Sequence, residues 1–334
     1  MKKALSILTA GCLAVSLAAC GSTAASSAAP AADSTASSAA ESTAASDTAA
    51  ADGQTYKVGI CQLVQHVALD AATQGFKDAL TEQLGDAVTF EEKNAQGDSN
   101  TCSTIINGFV SDNVDLILAN ATPALQAAQA GTNTIPVLGT SVTEYGVALG
   151  IDDFDGLVGT NISGTSDLAP LDEQAGIIKE LFPDAKTVGL LYCSAEANSQ
   201  YQVDTCEYYA FSDSNDLATV CQSAADASDV IYVPTDNTVA NNTEIVNNIC
   251  QPAGVPVVAG EEGIMSGCGV ATLSISYYDL GVATGKMAAK ILTGESKVEE
   301  MPIEYAPKFT KEYNPTIAEA LGITIPDDYV AYEG

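Results

Sequence analysis

The chain has 334 residues, and 12 basic residues stand against 43 acidic ones, which gives a formal net charge of −31 at pH 7. All 12 are lysines, so no basic patch can form to displace counterions, and binding to a nucleic-acid backbone is excluded. Since 46% of the residues are hydrophobic, the chain is not a disordered acidic tail and can bury a sizeable core.

The first twenty residues have the pattern of a secretory leader. Two lysines precede a largely apolar run over residues 4–19, which ends in Leu-Ala-Ala-Cys-Gly with the cysteine at position 20. The run is shorter than the roughly 20 apolar residues of a spanning helix, and small residues before the cysteine are typical of a lipobox. We therefore expect a lipoprotein signal peptide over 1–20, lipidation of Cys20, and an extracytoplasmic protein attached to the cell membrane through that lipid.

Residues 21–53 are predicted to be a disordered linker. Of its 33 residues, 26 are alanine, serine or threonine. Such a segment has little apolar area to offset the entropy of ordering, so we expect it to hold a globular body away from the membrane.

The cysteines that remain are odd in number. If Cys12 leaves with the leader and Cys20 carries lipid, the thiols left are Cys61, Cys102, Cys193, Cys206, Cys221, Cys250 and Cys268. Seven thiols cannot all pair, and none has the CxxC spacing. Cys61 and Cys193 lie in apolar, strand-like runs, which favours buried free thiols that act as small hydrophobes. One structural disulfide or a metal site remain alternatives.

From residue 56 onward, short apolar runs alternate with helical patterns. In the first half, strands are predicted at 56–62, 87–93, 114–120 and 135–140, with helices at 68–84, 101–111 and 122–130. After residue 164 the plan repeats, with strands at 187–193, 206–212, 229–235, 255–260 and 269–275 and helices at 171–181, 215–225 and 239–250. Such alternation predicts parallel strands joined by helical crossovers.

The predicted fold class is α/β, with two doubly wound parallel-sheet lobes joined by hinge crossovers. We assign residues 54–161 and 277–297 to the first lobe, and residues 162–276 and 298–334 to the second. Open α/β sheets bind ligands outside the carboxyl ends of their strands, so two hinged lobes predict a binding cleft that closes.

The residues at the predicted strand ends include no lysine and are mostly polar. From the first lobe the candidate ligand-binding residues are Gln62, His66, Asn94, Ala121, Thr122, Ser141 and Thr143. From the second lobe they are Ser194, Asn198, Thr235, Asp236, Asn237 and Glu261, joined by Tyr277 near the crossover back to the first lobe.

These residues suit a small ligand that carries an ammonium group. Asp236 or Glu261 could pair with the ammonium group, while a carboxylate would be held by the Thr122 hydroxyl and nearby helix N-terminal amides. A simple helix N-cap at Thr122 and an Asx turn at Asp236 remain alternatives.

Three other candidates have structural alternatives of their own. His66 is the single histidine, so it forms neither a metal site nor a catalytic pair alone, and it is expected either in the cleft or at a helix cap. Glu261 is either a cleft contact or part of a solvated turn. Tyr277 either stacks on a ligand or packs the hinge.

Eight sequence strings in order resemble one family. They are QLVQHVALDAATQGF, NAQGD, DLILANATPALQAA, GTSDLAPLDEQ, ELFPDAKTVGLLY, SAEANS, YVPTDNTV and SYYDLGVATGKMAAKILTGE. The chain thereby resembles, from about residue 56 to 305, the ABC-importer substrate-binding proteins that include tryptophan- and tyrosine-binding lipoproteins. The resemblance implies a type I periplasmic-binding-protein fold and delivery of a small solute to a membrane permease with a cytoplasmic ATPase.

One segment departs from this family. Residues 194–205 leave only twelve residues between two predicted parallel strands, near the lower limit for a parallel connection. The SAEANS loop that would face the cleft is present, so the departure bears on the outer face of the second sheet.

The predicted function is binding of a small solute, an amino acid with an aromatic or apolar side chain, for an ABC importer. We predict no catalytic residues, no cofactor and no metal site, because the sequence has no GxSxG or HExxH motif and no histidine beside a nucleophile. A sensor or receptor ectodomain, and import of a nucleoside or other small metabolite, are the alternatives.

Overall fold

The computed structural model describes residues 54–201, 207–306 and 308–333. The predicted leader, Cys20, the linker and Cys206 lie outside the described residues. Two parallel-dominated sheets form the centres of two lobes, which we call lobe 1 and lobe 2 after their order in the chain.

Lobe 1 has a six-stranded parallel sheet. Its strands are β1 (Tyr56–Gln62), β2 (Val88–Asn94), β3 (Leu116–Asn120), β4 (Val137–Val142), β5 (Ile162–Ser166) and β11 (Glu304–Tyr305). Their order across the sheet is β11-β5-β4-β3-β1-β2. Its helices are α1 (Val67–Leu84), α2 (Ser99–Ser111), α3 (Thr122–Gly131), α4 (Tyr145–Leu149) and α11 (Tyr277–Leu292).

Lobe 2 repeats this plan around a seven-stranded sheet. Its strands are β6 (Val188–Cys193), β7 (Glu207–Phe211), β8 (Val230–Val233), β9 (Val257–Ala259), β10 (Ala271–Ser274), β12 (Thr310–Tyr313) and β13 (Val330–Ala331), in the order β13-β12-β10-β9-β8-β6-β7. Its helices are α5 (Leu171–Leu181), α6 (Ala197–Tyr201), α7 (Ser214–Ala227), α8 (Asn237–Ala240), α9 (Thr243–Ala253), α10 (Glu262–Gly267) and α12 (Pro315–Leu321). Only the β10–β12 pair is antiparallel among the described strands.

Both sheets are covered on both faces, as parallel sheets require. In β3, Leu116 and Leu118 pack on one face against α1 and α11, while Ile117 and Ala119 pack on the other against α2 and α3. All four side chains are fully buried, which explains why this strand is apolar throughout and does not alternate.

The start of the second lobe was predicted wrongly for one strand. β5 pairs with β4 in lobe 1, with Val137 opposite Ile162, although residue 162 was assigned to lobe 2. β11 pairs with β5, so residues 304 and 305 also belong to the first sheet. The segment before β11 belongs there too, because Met301 and Ile303 pack into the core of lobe 1. The missed strand has the sequence ISGTS, whose small polar residues give no apolar pattern although all are buried.

One predicted helix needed correction, and the short connection in lobe 2 did not. The helix predicted at 239–250 is broken into α8 and α9, because the chain turns at Asn241 and Asn242 between them. The twelve-residue connection from β6 contains the short helix α6, and β6 and β7 pair in parallel as predicted.

Helices α1 and α11 of lobe 1 pack with their backbones in close contact, next to the segments that cross between the lobes. A Cβ atom added at Gly281 would lie 2.0 Å from the Ala72 carbonyl oxygen, and one added at Gly75 would lie 2.1 Å from that of Tyr278. The chain crosses between the lobes before α5, before α11 and before β12. Beside these crossings, Ala72, Ile275 and Tyr277 belong to one small buried apolar cluster.

The six described cysteines are buried free thiols. Within the described ranges, no helix combines the length and the hydropathy needed to span a membrane.

Candidate functional site

The strand order of each lobe locates its binding edge. Without the added outer strands, both sheets have the order 2-1-3-4-5 when their strands are numbered along each lobe. In such a sheet the order in which successive strands are added reverses between the first and third strands, and a crevice opens at their carboxyl ends. These points fall between β1 and β3 in lobe 1 and between β6 and β8 in lobe 2.

Residues from these edges surround a small cavity between the lobes. Lobe 1 and its crossings contribute His66, Leu69, Ser141, Thr143, Asp167 and Tyr277. Lobe 2 contributes Asn198, Thr235, Asp236, Asn237 and Glu261. The cavity has a volume of about 10 Å³, room for about one water molecule, so the lobes are closed over it.

Three buried carboxyl groups line this cavity, and no lysine does so within the described chain. They belong to Asp167, Asp236 and Glu261, each at most 4% exposed. Burial penalises the charged form of a carboxyl group, so the cavity favours a ligand group that brings positive charge.

Asp167 follows β5 and has one oxygen free for a ligand. Its Oδ2 accepts a hydrogen bond from the Tyr277 hydroxyl at 2.9 Å, whereas its buried Oδ1 has no hydrogen-bond partner among the described residues. Burial raises the pKa of Asp167, and the hydrogen bond from Tyr277 opposes that shift. Tyr277 therefore holds this carboxyl group in place at the start of α11.

Asp236 is the N-cap residue of α8 and is engaged within lobe 2. Its Oδ1 accepts from the Val239 amide at 2.9 Å, and its Oδ2 accepts from the Cys193 amide at 2.7 Å and the Ser199 hydroxyl at 2.8 Å. Burial and the nearby Glu196 raise the pKa of Asp236 to about 7. The capping interaction left open by the sequence is thus present.

Glu196, in the SAEANS loop, holds the start of α8 from the other side. Its Oε2 accepts from the Asn237 amide at 3.0 Å and the Asn237 side chain at 2.8 Å, and its Oε1 accepts from the Thr238 amide at 2.8 Å. Asn198 donates to the same carboxylate at 3.0 Å. This network fixes the lobe 2 side of the cavity.

Glu261 caps α10 with both of its oxygens. Oε2 accepts from the Gly263 amide and Oε1 from the Ile264 amide, each at 2.6 Å. Burial raises the pKa of Glu261 to about 8, although these two amides oppose the shift. Glu261 is therefore a buried cap that faces the cavity, not part of a solvated turn.

His66 makes a direct contact between the lobes. It is the N-cap residue of α1, and its Nε2 lies 3.3 Å from the Asn237 Oδ1 at the start of α8. Because that oxygen accepts, Nε2 carries the proton, and the buried Nδ1 has no hydrogen-bond partner in the described structure. Burial lowers the pKa of His66.

Three further polar atoms of residues that line the cavity lack partners among the described residues. The Ser141 hydroxyl is buried and unpartnered, and its backbone has a φ of 54°, which turns the chain after the main part of β4. The Asn198 side-chain oxygen is also unpartnered, since its amide nitrogen makes all of the hydrogen bonds of that side chain. The Thr143 hydroxyl is unpartnered as well. A ligand would provide partners for all three atoms.

A larger pocket of about 230 Å³ adjoins the cavity through Asn237. Leu63, Val64 and Pro123 of lobe 1 face Cys193, Glu196 and Thr238 of lobe 2 across it. It is an open part of the same interlobe cleft.

The predicted site residues divide into two groups. The structure places His66, Ser141, Thr143, Asn198, Thr235, Asp236, Asn237, Glu261 and Tyr277 around the cavity. It does not bring Gln62, Asn94, Ala121, Thr122 or Ser194 to the cavity wall.

Each residue outside the cavity wall has a local reason for its position. Gln62 is used inside lobe 1, where it donates to Asp70 at 2.7 Å and accepts from Thr73 at 2.6 Å. Asn94 ends the edge strand β2 and accepts from the Gln96 amide at 2.8 Å. Ser194 is exposed and donates to the Phe211 carbonyl at 3.0 Å.

The loop before α3 differs from the expectation. Ala121, not Thr122, is the N-cap residue, with a φ of 89°, and no side chain caps the helix. Thr122 is 2% exposed, and its hydroxyl has no hydrogen-bond partner in the described part of the chain. The alternative of a capping Thr122 is therefore wrong, and Thr122 does not line the cavity.

Sequence reasoning missed Leu69, Asp167 and Glu196. Asp167 comes directly after a strand that was not predicted, so the strand-end rule could not select it. Glu196 lies in a loop from which only its neighbours were chosen. One feature of the sequence could have pointed to these acidic residues, namely the concentration of acidic residues near predicted strand ends in a chain without arginine.

The described residues provide no candidate metal site. No group of three or more histidine, cysteine, aspartate or glutamate side chains that could hold a metal ion occurs in the described ranges.

Comparisons with known proteins agree with this architecture. A family model of ABC transporter substrate binding proteins matches residues 57–333. The tyrosine-binding protein of Clostridioides difficile strain R20291 is 35% identical over 318 residues, which cover 90% of this chain and 87% of the relative.

Two solved structures bear on the closure of the lobes. An ABC domain from Streptococcus pneumoniae in complex with L-Trp is 32% identical, with a TM-score of 0.78 over 82% of this chain and 97% of that one. A ligand-free, open substrate-binding protein with adhesive properties from Clostridium difficile is 38% identical, covers 84% of this chain and 100% of that one, and has a TM-score of 0.63. The chain is thus more similar in shape to the L-Trp complex, although its sequence is more similar to the open protein.

Proposed function

We propose, since the chain belongs to the ABC transporter substrate-binding protein family, that the solute it binds is an aromatic amino acid. Proteins of this family bind small solutes for ABC transport, and this chain has their type I periplasmic-binding-protein fold. The observation that supports the aromatic ligand most strongly is the relation to a tyrosine-binding protein over 90% of the chain.

The cavity supports an amino acid through its charge and its unpartnered atoms. Asp167 is our candidate for the ammonium group, because its Oδ1 is buried and unpartnered. The original candidate Asp236 already accepts three internal hydrogen bonds, so we assign it a supporting role. Ser141 and Thr143 are the candidates for the carboxylate, since both hydroxyls line the same cavity.

The localisation and partners follow from the family in part. Substrate-binding proteins of ABC transporters are extracytoplasmic. We further propose attachment to the membrane through a lipid on Cys20, and delivery of the ligand, without turnover, to a permease with a cytoplasmic ATPase.

The test is calorimetry with the full chain purified in detergent. L-tyrosine, L-tryptophan and L-phenylalanine are titrated beside a nucleoside, and N-acetyl-L-tyrosine serves as the matched ligand without an ammonium group. At 100 times the dissociation constant, a ligand adds roughly 2.7 kcal/mol to the free energy of unfolding, so thermal shifts provide a second readout. Heat and thermal shift with the nucleoside alone would reject the aromatic ligand.

A variant pair tests the site itself. Asp167→Asn should weaken binding of the preferred amino acid by about 2 to 5 kcal/mol, the typical cost of losing one partner of a buried charged hydrogen bond. Asp229→Asn is the control, because Asp229 is exposed and accepts from two backbone amides at the base of lobe 2. Equal affinities for both variants would show that Asp167 does not contact the ligand.

A further inference from the structure

Two thiols on different helices of lobe 2 face each other in its core. Cys221 on α7 and Cys250 on α9 are 29 residues apart in the chain, and their Sγ atoms lie 3.7 Å apart. Both belong to the apolar cluster between these helices and the sheet, with exposures of 0% and 2%. The two thiols are therefore in contact within the packed core of lobe 2.

We propose that Cys221 and Cys250 form a disulfide bond in the extracytoplasmic protein. Extracytoplasmic proteins often keep disulfides because their compartments are more oxidising than the cytosol. Formation from the observed contact requires a change in side-chain torsion that brings the sulfurs to the bonding distance of about 2.05 Å. This pairing is the structural disulfide that the sequence left open as an alternative.

The reaction is a thiol–disulfide exchange with a disulfide oxidoreductase. The thiolate of one of the two cysteines attacks one sulfur of the oxidant's disulfide, and the other oxidant sulfur leaves as a thiolate. The thiolate of the other cysteine then attacks the sulfur of the first and releases the second oxidant thiolate. The two cysteines lose two protons and two electrons, and the oxidant ends as a dithiol.

A third cysteine of lobe 2 lies near the pair. The nearby Cys268 is engaged elsewhere, since its thiol donates to the Ile264 carbonyl at 3.4 Å.

Burial determines when the bond forms. An oxidant cannot reach either sulfur in the folded lobe, so the exchange takes place while α7 and α9 are still assembling. Once the lobe has folded, the same burial protects the bond from reductants, as for structural disulfides in secreted proteins.

The bond would enclose part of the ligand site. Between Cys221 and Cys250 the chain forms β8 and α8, which carry Thr235, Asp236 and Asn237 to the cavity. A covalent link at the base of this loop limits the conformations of the unfolded chain and so stabilises the lobe 2 side of the cavity.

Peptide mapping of the full chain from the extracytoplasmic fraction tests the proposal. The protein is denatured with N-ethylmaleimide and without reductant, digested, and analysed by mass spectrometry. We expect peptides joined through Cys221 and Cys250, with a mass lower by two hydrogen atoms and no maleimide on either residue. Maleimide on both residues, or a link from either one to Cys268, would overturn the assignment.

Thermal unfolding of the oxidised and the reduced protein provides a second measurement. The reduced protein is unfolded in denaturant with reductant and refolded in its presence, because the folded lobe protects the bond. Reduction should lower the unfolding temperature of the parent by roughly 5 to 10 °C, given the length of the closed loop. Cys221→Ala and Cys250→Ala should each lose this sensitivity, whereas Cys268→Ala should keep it. If the single variants fail to fold, the peptide map of the parent alone decides. An equal response to reductant in all four proteins would contradict the bond.

Discussion

Asp236 has both of the positions that the sequence allowed, as a residue of the cavity lining and as a helix N-cap. It lies at a strand end and lines the cavity, but three internal donors already use its oxygens. Asp236→Asn places an amide nitrogen against at least one of these donors. We expect the free energy of unfolding to fall by about 1 to 3 kcal/mol, the cost of an unsatisfied buried group, as measured by denaturant titration.

The matched control for this change is Asp213→Asn. Asp213 is also a helix N-cap residue, at the start of α7, but it is exposed and accepts from the Asn215 amide at 2.8 Å. Asparagine caps helices about as well as aspartate, so the control should leave stability nearly unchanged. A parent-like stability of Asp236→Asn would show that its hydrogen bonds are dispensable.

The acidic cavity predicts an unusual pH dependence for the ligand-free protein. The pKa of Glu261 rises to about 8 and that of Asp236 to about 7, each above the ordinary range of a carboxyl group. The folded state therefore binds protons that the unfolded state has released. The stability from these groups is complete below about pH 4 and is lost as the pH rises through 7 and 8.

The variant Glu261→Gln isolates one of these contributions. We expect the decline of the unfolding temperature between pH 5 and pH 8 to become shallower than in the parent, because glutamine does not titrate. The exposed Glu82 provides the control Glu82→Gln, which should keep the parent slope. A slope unchanged in Glu261→Gln would place the responsible groups elsewhere.

Asp167 was not predicted from the sequence, for a physical reason. Strand-end residues can be selected only when the strand itself is recognised, and β5 has the sequence ISGTS, which is buried throughout but has no apolar pattern. By contrast, Asp236 and Glu261 follow apolar runs and were found. A helix cap at Asp236 was among the alternatives, but its donors from β6 and α6 could not be predicted, because those elements are distant from it in the sequence.

At the scale of elements, the contact between α1 and α11 depends on residues without side chains. Gly281→Ala would place its Cβ atom 2.0 Å from the Ala72 carbonyl oxygen. Such overpacking forces the helices apart, and we expect a loss of about 1 to 3 kcal/mol in the free energy of unfolding. Chemical denaturation measures this loss.

Gly108→Ala in α2 is the control, because its added Cβ would meet no atom within 4 Å. Alanine in a helix interior should stabilise the protein by roughly 0.5 to 1 kcal/mol relative to glycine. If both substitutions shifted stability in the same direction, close packing of the two helices would not explain the result.

Elements with a strong apolar period were predicted well, and those set by tertiary contacts were not. The helix predicted at 171–181 has the bounds of α5, and the central strands of both sheets were recognised from their apolar runs. β11 has only two residues, both exposed, so its place beside β5 depends on pairing alone. Sequence patterns report burial and contain little information about such edge pairings.

At the scale of the whole molecule, the repeated plan predicted two similar sheets, and the structure has them. The positions where the chain crosses between the lobes were harder to predict from the sequence, because a crossing has no residue pattern of its own. The extent of lobe closure could not be predicted either, since it depends on tertiary contacts such as that between His66 and Asn237.

The proposed lipid anchor is testable without knowledge of the ligand. Cys20→Ser should move the protein from the detergent phase to the soluble or precursor fraction, because no other residue would receive the lipid. Phase partition followed by immunoblotting measures this. Cys206→Ser is the control for loss of a thiol, and it should partition like the parent. Unchanged partition of Cys20→Ser would contradict the anchor.

Closure of the lobes predicts how the ligand enters. The cavity of about 10 Å³ is far too small for an amino acid, so the lobes must open before binding. If L-tryptophan is the ligand, its observed association rate should therefore reach a plateau as its concentration rises, with the plateau equal to the opening rate. The chain has no tryptophan, so stopped-flow excitation of indole detects the ligand alone.

The contact across the lobes sets the height of this plateau. Asn237→Ala removes the partner of His66, and we expect opening and thus the plateau rate to increase several-fold, since a hydrogen bond contributes about 1 kcal/mol. Asn248→Ala, an exposed position on α9, should keep the parent plateau. A rate that increases linearly with concentration up to the fastest measurable mixing would mean that the open form predominates without ligand. In that case the closed arrangement would be the state that ligand binding produces, and Asn237→Ala would change the dissociation rate instead.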